Sequence, residues 1–146
     1  MTLAITIKES SKGIFTLRVL DDKTGQRLSA IFFREELSGG GIAISDLHTK
    51  EPAKGYGTFA VNAFIQFCQA VYLEDIPIYG SPSHHGSEDD RKRRNKFWEG
   101  FGFKITLNRP DSDCMNALLS GLNCKTNHYF KPLHQCKVSI LRHHTI

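Results

Sequence analysis

The sequence predicts an α/β domain built on a mixed, twisted sheet, and three observations predict it. An apolar strand, Ile42-Ala43-Ile44-Ser45-Asp46-Leu47, runs into the small-residue turn Lys54-Gly55-Tyr56-Gly57-Thr58 and then into an apolar-striped helix from Thr58 to about Leu73. A short, nearly continuous apolar segment, Ile76-Pro77-Ile78-Tyr79, follows that helix, as a central strand flanked on both faces would. Ahead of both, Phe15, Leu17 and Val19 alternate with Thr16 and Arg18, the period of a half-buried strand.

The elements follow in order. Residues 1–7 read as a first strand. Residues 15–19 and 28–33 form a hairpin around Asp21-Asp22-Lys23-Thr24-Gly25-Gln26, whose composition is turn chemistry. Ser38-Gly39-Gly40-Gly41 breaks the chain before a strand over 42–49. The next helix carries Ala60, Phe64, Phe67, Cys68 and Val71 on one side, the spacing of a helix packed on a sheet. A strand over 76–80 leads to the loop Ser81-Pro82-Ser83-His84-His85-Gly86, at the carboxyl edge where open α/β sheets bind ligands. Ser87 caps a second helix, and Glu88, Asp89 and Asp90 complement its N-terminus. Phe97, Trp98 and Phe101 face the core, and residues 103–107 form a strand. Asp111-Ser112-Asp113 predicts the cap of a short helix with Met115, Leu118, Leu119 and Leu122 on its apolar side and Gly121 at its end. Residues 136–142 alternate as a final strand. One domain over 1–146 is expected, with its core at about 14–107 and a helix–strand extension over 108–146.

Composition agrees. The 146 residues suit one core, and 40% hydrophobic with 23% charged content is that of a soluble globular protein. No apolar run approaches the ~18 residues that span a membrane. Residues 1–7 lack the pattern of an export signal, so a cytoplasmic setting without a membrane partner is expected. Cys68, Cys114, Cys124 and Cys136 then carry no argument for disulfides. Residues 1–103 balance thirteen Lys/Arg with thirteen Asp/Glu, so the net charge of +4 lies wholly in the tail, with four of the seven histidines. That bias leaves nucleic acid open as a partner without requiring it.

A glycine turn at a helix start aims backbone N–H groups at one point beside the positive end of the helix dipole, which favours an anion. The chain lacks the Gly-x-x-x-x-Gly-Lys-Ser/Thr of nucleotide-triphosphate loops and the third glycine of the dinucleotide fingerprint.

A second segment, Phe97-Trp98-Glu99-Gly100-Phe101-Gly102-Phe103, stands about forty residues further on. Together the two segments resemble the GNAT superfamily of acyl-CoA-dependent N-acetyltransferases. That family's Gln/Arg-x-x-Gly-x-Gly/Ala motif is matched by Pro52-Ala53-Lys54-Gly55-Tyr56-Gly57, and the wording through Thr58 is closest to histone-type members. Its Phe-Tyr-x-x-x-Gly-Phe signature is matched by Phe97 to Phe103. The resemblance covers residues 14–105. It implies a GNAT-like α/β fold with helices on both faces of the mixed sheet. It departs from that fold in one place: only Glu9-Ser10-Ser11-Lys12-Gly13 separates the first two strands, leaving no room for the family's two acceptor-site helices. The acceptor site is then open, remodelled by the tail, or completed by a second subunit in a homodimer.

The resemblance further implies acetyl-CoA as cosubstrate, with Ala53, Lys54, Gly55, Tyr56, Gly57 and Thr58 around its pyrophosphate and Leu47 and Thr49 pairing with the pantetheine arm. Acetyl transfer needs a base for the amine and a donor near the departing sulfur. Asp46 and His48 are the candidate bases; His84 and His85 lie on the active edge. Pro52 replaces the usual Gln or Arg. Trp98 stands where many members place a proton-donating tyrosine, an acid role that an indole cannot fill; Tyr56 and Tyr79 are the substitutes to test. The Arg91–Lys96 cluster reads either as a CoA 3′-phosphate or acidic-partner patch or as a solvated helix face.

The expected function is N-acetylation of a primary amine, a protein lysine or N-terminus. Two alternatives stand: a GNAT-fold module without catalysis that docks a protein or nucleic acid through its tail, and a toxin acetylating aminoacyl-tRNA. Cys114, Cys124, His128, His134 and Cys136 lack zinc-knuckle spacing, so no metal is expected.

Overall fold

The computed structural model describes residues 2–36, 40–51, 54–82, 87–109, 112–125 and 137–141. Its elements are β1 (Leu3–Ser11), β2 (Ile14–Asp21), β3 (Arg27–Glu36), β4 (Gly41–Thr49), α1 (Tyr56–Val71), β5 (Pro77–Gly80), α2 (Glu88–Glu99), β6 (Lys104–Arg109), β7 (Ser112–Leu118) and β8 (Lys137–Leu141). They form one eight-stranded sheet in the order β6-β7-β5-β4-β3-β2-β1-β8. The pairs β4–β5 and β1–β8 are parallel and the others antiparallel, so the sheet is mixed as expected.

Residue alternation assigns one face of this sheet to the core. Ile5 lies opposite Val19, Ile7 opposite Leu17, Leu17 opposite Ile31 and Phe15 opposite Phe33. All of these are buried, as are Ile42, Ile44, Ile78 and Met115 on the next strands. Over that face lies α1, buried through Phe59, Ala60, Phe64 and Phe67. Phe33 meets Phe64 edge-on, with ring centroids 4.8 Å apart, and stacks on Phe15 at 5.1 Å. Such aromatic pairs add about 1 kcal/mol beyond the burial of their area.

Both helices belong to this face. The crossovers β4–α1–β5 and β5–α2–β6 advance in the same direction between parallel strands, and right-handed crossovers then put both helices on one side. Trp98 and Phe101 accordingly join the same core cluster as α1. Helices on both faces were expected; among the described residues the second face carries none. The tight β1–β2 connection at residues 12–13 agrees with the missing pair of helices.

The extension departs from its reading. Residues 112–118 are strand β7, inserted between β5 and β6, and a single 3-10 turn over Leu119–Gly121 follows. The expected helix cap at Asp111-Ser112-Asp113 is therefore corrected. The physical reason is the period: Asp113 and Met115 are buried while Asn116 and Leu118 are exposed, and only the last apolar residues, Leu119 and Leu122, reach the core beyond the strand. The expected final strand is present as β8, which extends the sheet beyond β1.

Candidate functional site

The site forms where β4 and β5 part. Their pairing runs from Ile42–Ile78 to Ile44–Gly80, after which β5 ends and β4 continues to Thr49. A register shift on β4 between its partners for Phe32 and Phe33 turns the strand at Ser45. Such a bulge kinks a strand and re-aims the residues beyond it. The gap opens into a cavity of about 550 Å³ lined by both flanks of this parting, by the start of α1 and by Arg94, Phe97 and Trp98 of α2.

The glycine turn is built for close approach. Gly55 caps α1 at φ +80°, a left-handed conformation that costs a side-chain-bearing residue energy. No side chain caps this helix and its first turn holds no acid, so the positive end of the dipole is not neutralised within the helix. The first intrahelical bond runs from Phe59 N–H to the Gly55 carbonyl at 3.0 Å. The N–H groups of Gly57 and Thr58 precede it and have no acceptor within the helix. A Cβ on Gly57 would stand 3.0 Å from Thr49 Oγ1 and 3.9 Å from Leu47 Cδ2, so a side chain at position 57 would press on the end of β4.

The sequence-derived residues divide accordingly. Leu47, Thr49, Gly55, Gly57, Thr58 and Asp46 come together around the cavity. Tyr56 does not: its side chain is buried in the core, and its carbonyl accepts the Ser29 hydroxyl at 2.9 Å. That burial also removes it as a proton donor. Lys54 is exposed and is not among the lining residues. Pro52, Ala53, His84, His85, His128, His134 and Cys136 lie outside the described residues. Among the described residues no cluster of metal-binding side chains occurs.

Asp46 and His48 form a pair. His48 Nε2 lies 2.7 Å from Asp46 Oδ2, and Asp46 Oδ1 accepts the Leu47 N–H at 2.8 Å. The His48 ring meets Phe32 edge-on at 5.3 Å. Both side chains are partly exposed, 55% for His48 and 42% for Asp46, so solvent reaches them.

The basic cluster on α2 splits between two roles. Lys92, Arg93 and Lys96 are exposed. Arg91 and Arg94 turn inward to the buried Asp113 carboxylate, which accepts Arg91 Nε at 2.7 Å and Asn95 Nδ2 at 3.2 Å and pairs with Arg94. The Arg91 hydrogen bonds outweigh burial and hold the Asp113 carboxyl well below the usual carboxylate range. This network was missed in the sequence, where Asp113 reads as a helix cap. A lone acid at a buried strand position, opposite a helix carrying arginines three residues apart, is the signal that would have found it.

A second unforeseen contact stands behind the cavity wall. Asn62 of α1 holds the backbone of Lys125 through two 2.8 Å hydrogen bonds. Lys125 Nζ donates to the Phe97 carbonyl at 2.6 Å and lies 4.6 Å and 4.3 Å from the ring centres of Phe97 and Phe101. Burial pulls its pKa below the ordinary lysine range. The segment after β7 thus ties α1 to α2 at the residue that walls the cavity.

Solved structures share this architecture. SpeG, a spermidine/spermine N-acetyltransferase from Vibrio cholerae, matches at 13% identity over 76% of this chain and 70% of its own, with a TM-score of 0.56. Tetrahymena GCN5 matches at 15% identity, 79% and 74% coverage and a TM-score of 0.52. This is the GNAT fold. A Bacillus anthracis protein described as a streptothricin acetyltransferase, crystallised with acetyl coenzyme A, matches at 16% identity over 73% of this chain and 62% of its own, with a TM-score of 0.51. No family profile matches the chain, and no curated protein matches it in sequence. Among the described residues no helix of this GNAT-fold protein is long and apolar enough to cross a membrane.

Proposed function

We propose that this chain is an acetyl-CoA-dependent N-acetyltransferase whose acceptor is a primary amine of a protein, a lysine or an N-terminus. The observation that carries the reading is the meeting, in one cavity, of the free-running end of β4, the uncapped glycine start of α1 and the Phe97–Trp98 wall. The residues fit the cosubstrate: the start of α1 has no side-chain cap and no acid in its first turn, and Gly55, Gly57 and Thr58 line the cavity. The N–H groups of Gly57 and Thr58 would hold pyrophosphate, and the backbone of Leu47 and Thr49 would pair with the pantetheine amides.

Acetyl-CoA supplies a thioester carbonyl of raised reactivity. The chain supplies position and proton transfer. Asp46 lines the cavity and His48, outside that lining, is bonded to it; Asp46 takes the proton that the amine loses as its N–C bond forms and the C–S bond breaks, with His48 beside it to pass that proton to solvent. The departing thiolate takes up a proton from solvent: Tyr79 lines only the second cavity, with its ring beside Gly41 at the far end of β4. Trp98 lines the cavity as a wall and not as an acid. A cytoplasmic setting follows from the same reading.

The test is acetylation of a lysine peptide by the purified chain, read by thiol release and product mass. Gly57→Asp should abolish binding of acetyl-CoA through both bulk and like charge. Unchanged affinity in that variant, with its fold intact, would refute the site.

A further inference from the structure

The open face of the sheet narrows the acceptor. A second cavity, about 540 Å³, lies on the side away from the helices. Its floor is a single cross-strand row in which Arg34 faces Ala43, Ala43 faces Tyr79 and Tyr79 faces Asn116. It shares Ile44, Ser45, Ser81 and Met115 with the cavity between β4 and α1, so the two meet where β4 and β5 part. An amine entering from the open face therefore arrives where an acyl group in the first cavity would end.

The described charges around this entrance are positive on balance. Among the described residues, no carboxylate lines the second cavity, and its only cationic side chain is Arg34, which is half exposed and pairs with Glu36 at 3.0 Å. Lys8, Arg18 and Lys104 occupy the same face by register, opposite Thr16, Ala30 and Asn116. Against them stand only Asp46 and Glu36 on the strands flanking the entrance. Acceptors that are polycations find too few counter-charges here, whereas anionic ones are attracted. The geometry sets a length as well. The gap beside β4 opens beyond Ile44 and Gly80, about one and a half strand spacings across and one to two residues along from Arg34, roughly 8–10 Å. Two to three residues of extended peptide span about 7–10 Å.

We infer that the open face takes a peptide amine flanked by acidic side chains, with a carboxylate about two to three residues from the reacting amine held by Arg34. This rests on the proposed acetyl transfer. In the step itself the peptide nitrogen bonds the acetyl carbon, the thioester C–S bond breaks, and the amine proton leaves to the Asp46–His48 pair.

The experiment uses the full chain, acetyl-CoA and peptides identical except for acidic, neutral or basic residues flanking one lysine, with spermidine and an aminoacyl-RNA as further acceptors. The acid-flanked peptide is expected to exceed the neutral one by about tenfold in kcat/KM, with the excess shrinking at high salt. Arg34→Gln should reduce that ratio to about twofold and Arg34→Glu should invert it, with thermal melts checking that both variants fold. A preference for basic flanks, spermidine or the aminoacyl-RNA would overturn the inference, as would an acidic preference that Arg34→Gln leaves in place. Acetyl-CoA binding and peptide turnover without charge preference would sink the inference alone. No binding of acetyl-CoA would sink the proposed function and the inference with it.

Discussion

The two faces of the sheet have been put to different uses. The inner face carries Leu17, Ile31, Phe33 and Ile78 under α1, with Trp98 and Phe101 closing the same cluster beside it. The outer face, with no described helix over it, mixes Thr16, Arg18, Phe32, Arg34 and Tyr79. The inner face therefore holds the fold together and positions the proposed cofactor cleft. On the proposal above, the outer face is left to recognition.

The sharpest way to break this comparison is to remove one aromatic ring from each face. Phe64→Ala should cost about 4 kcal/mol, because a fully buried ring leaves a cavity against Phe33. Phe32→Ala should cost about 1 kcal/mol or less, since its neighbour His48 is exposed. Urea melts of the two variants measure the difference; equal costs would mean that the outer face is covered by something else.

The second prediction concerns the buried anion beneath α2. Asp113→Asn removes the buried carboxylate that Arg91 and Arg94 share and should cost about 3 kcal/mol at neutral pH. The pH dependence follows in sign. Its native pKa is depressed, so the stabilisation is fully present above the unfolded value of about 3.9 and is lost as pH falls below that toward the native value. The variant's stability should therefore change less between pH 5 and pH 2 than the parent's, as denaturant melts across that range would record.

Gly57→Asp sharpens the claim that the inner face carries the cofactor cleft. Acetyl-CoA affinity should fall at least about 100-fold, or about 2.7 kcal/mol, measured by calorimetry. The smallest effect is expected behind the cleft wall. Lys125→Met removes the hydrogen bond to the Phe97 carbonyl and the cation over two rings. It should weaken acetyl-CoA about threefold to tenfold and alter the fluorescence of Trp98, the chain's single tryptophan, whose ring meets Phe97 at 5.2 Å.

Much of the inner face was legible in the sequence, because period and turn chemistry are local. Phe15-x-Leu17-x-Val19, the Gly55–Gly57 turn and the Ser87 cap each carry their own signal, and the capping box at Ser87 and Asp90 is present. The C-terminal half was less legible. Met115, Leu119 and Leu122 fit a helical spacing, yet the open edge of β5 recruits residues 112–118 as a strand, a tertiary pairing that no local window contains. The bulge at Ser45 and the Asp46–His48 contact were likewise only partly readable: the residues could be named, but their pairing depends on where β4 turns. Tyr56 shows the converse, a residue inside a binding motif whose side chain serves the core.

The most direct test of the cofactor cleft is a titration of the purified chain with acetyl-CoA, followed by calorimetry and by Trp98 fluorescence together. The account predicts saturable one-to-one binding in the micromolar range, a change in Trp98 emission because that ring lines the cleft, and loss of both signals in Gly57→Asp. Absence of binding, or binding that leaves Trp98 silent and survives Gly57→Asp, would contradict it.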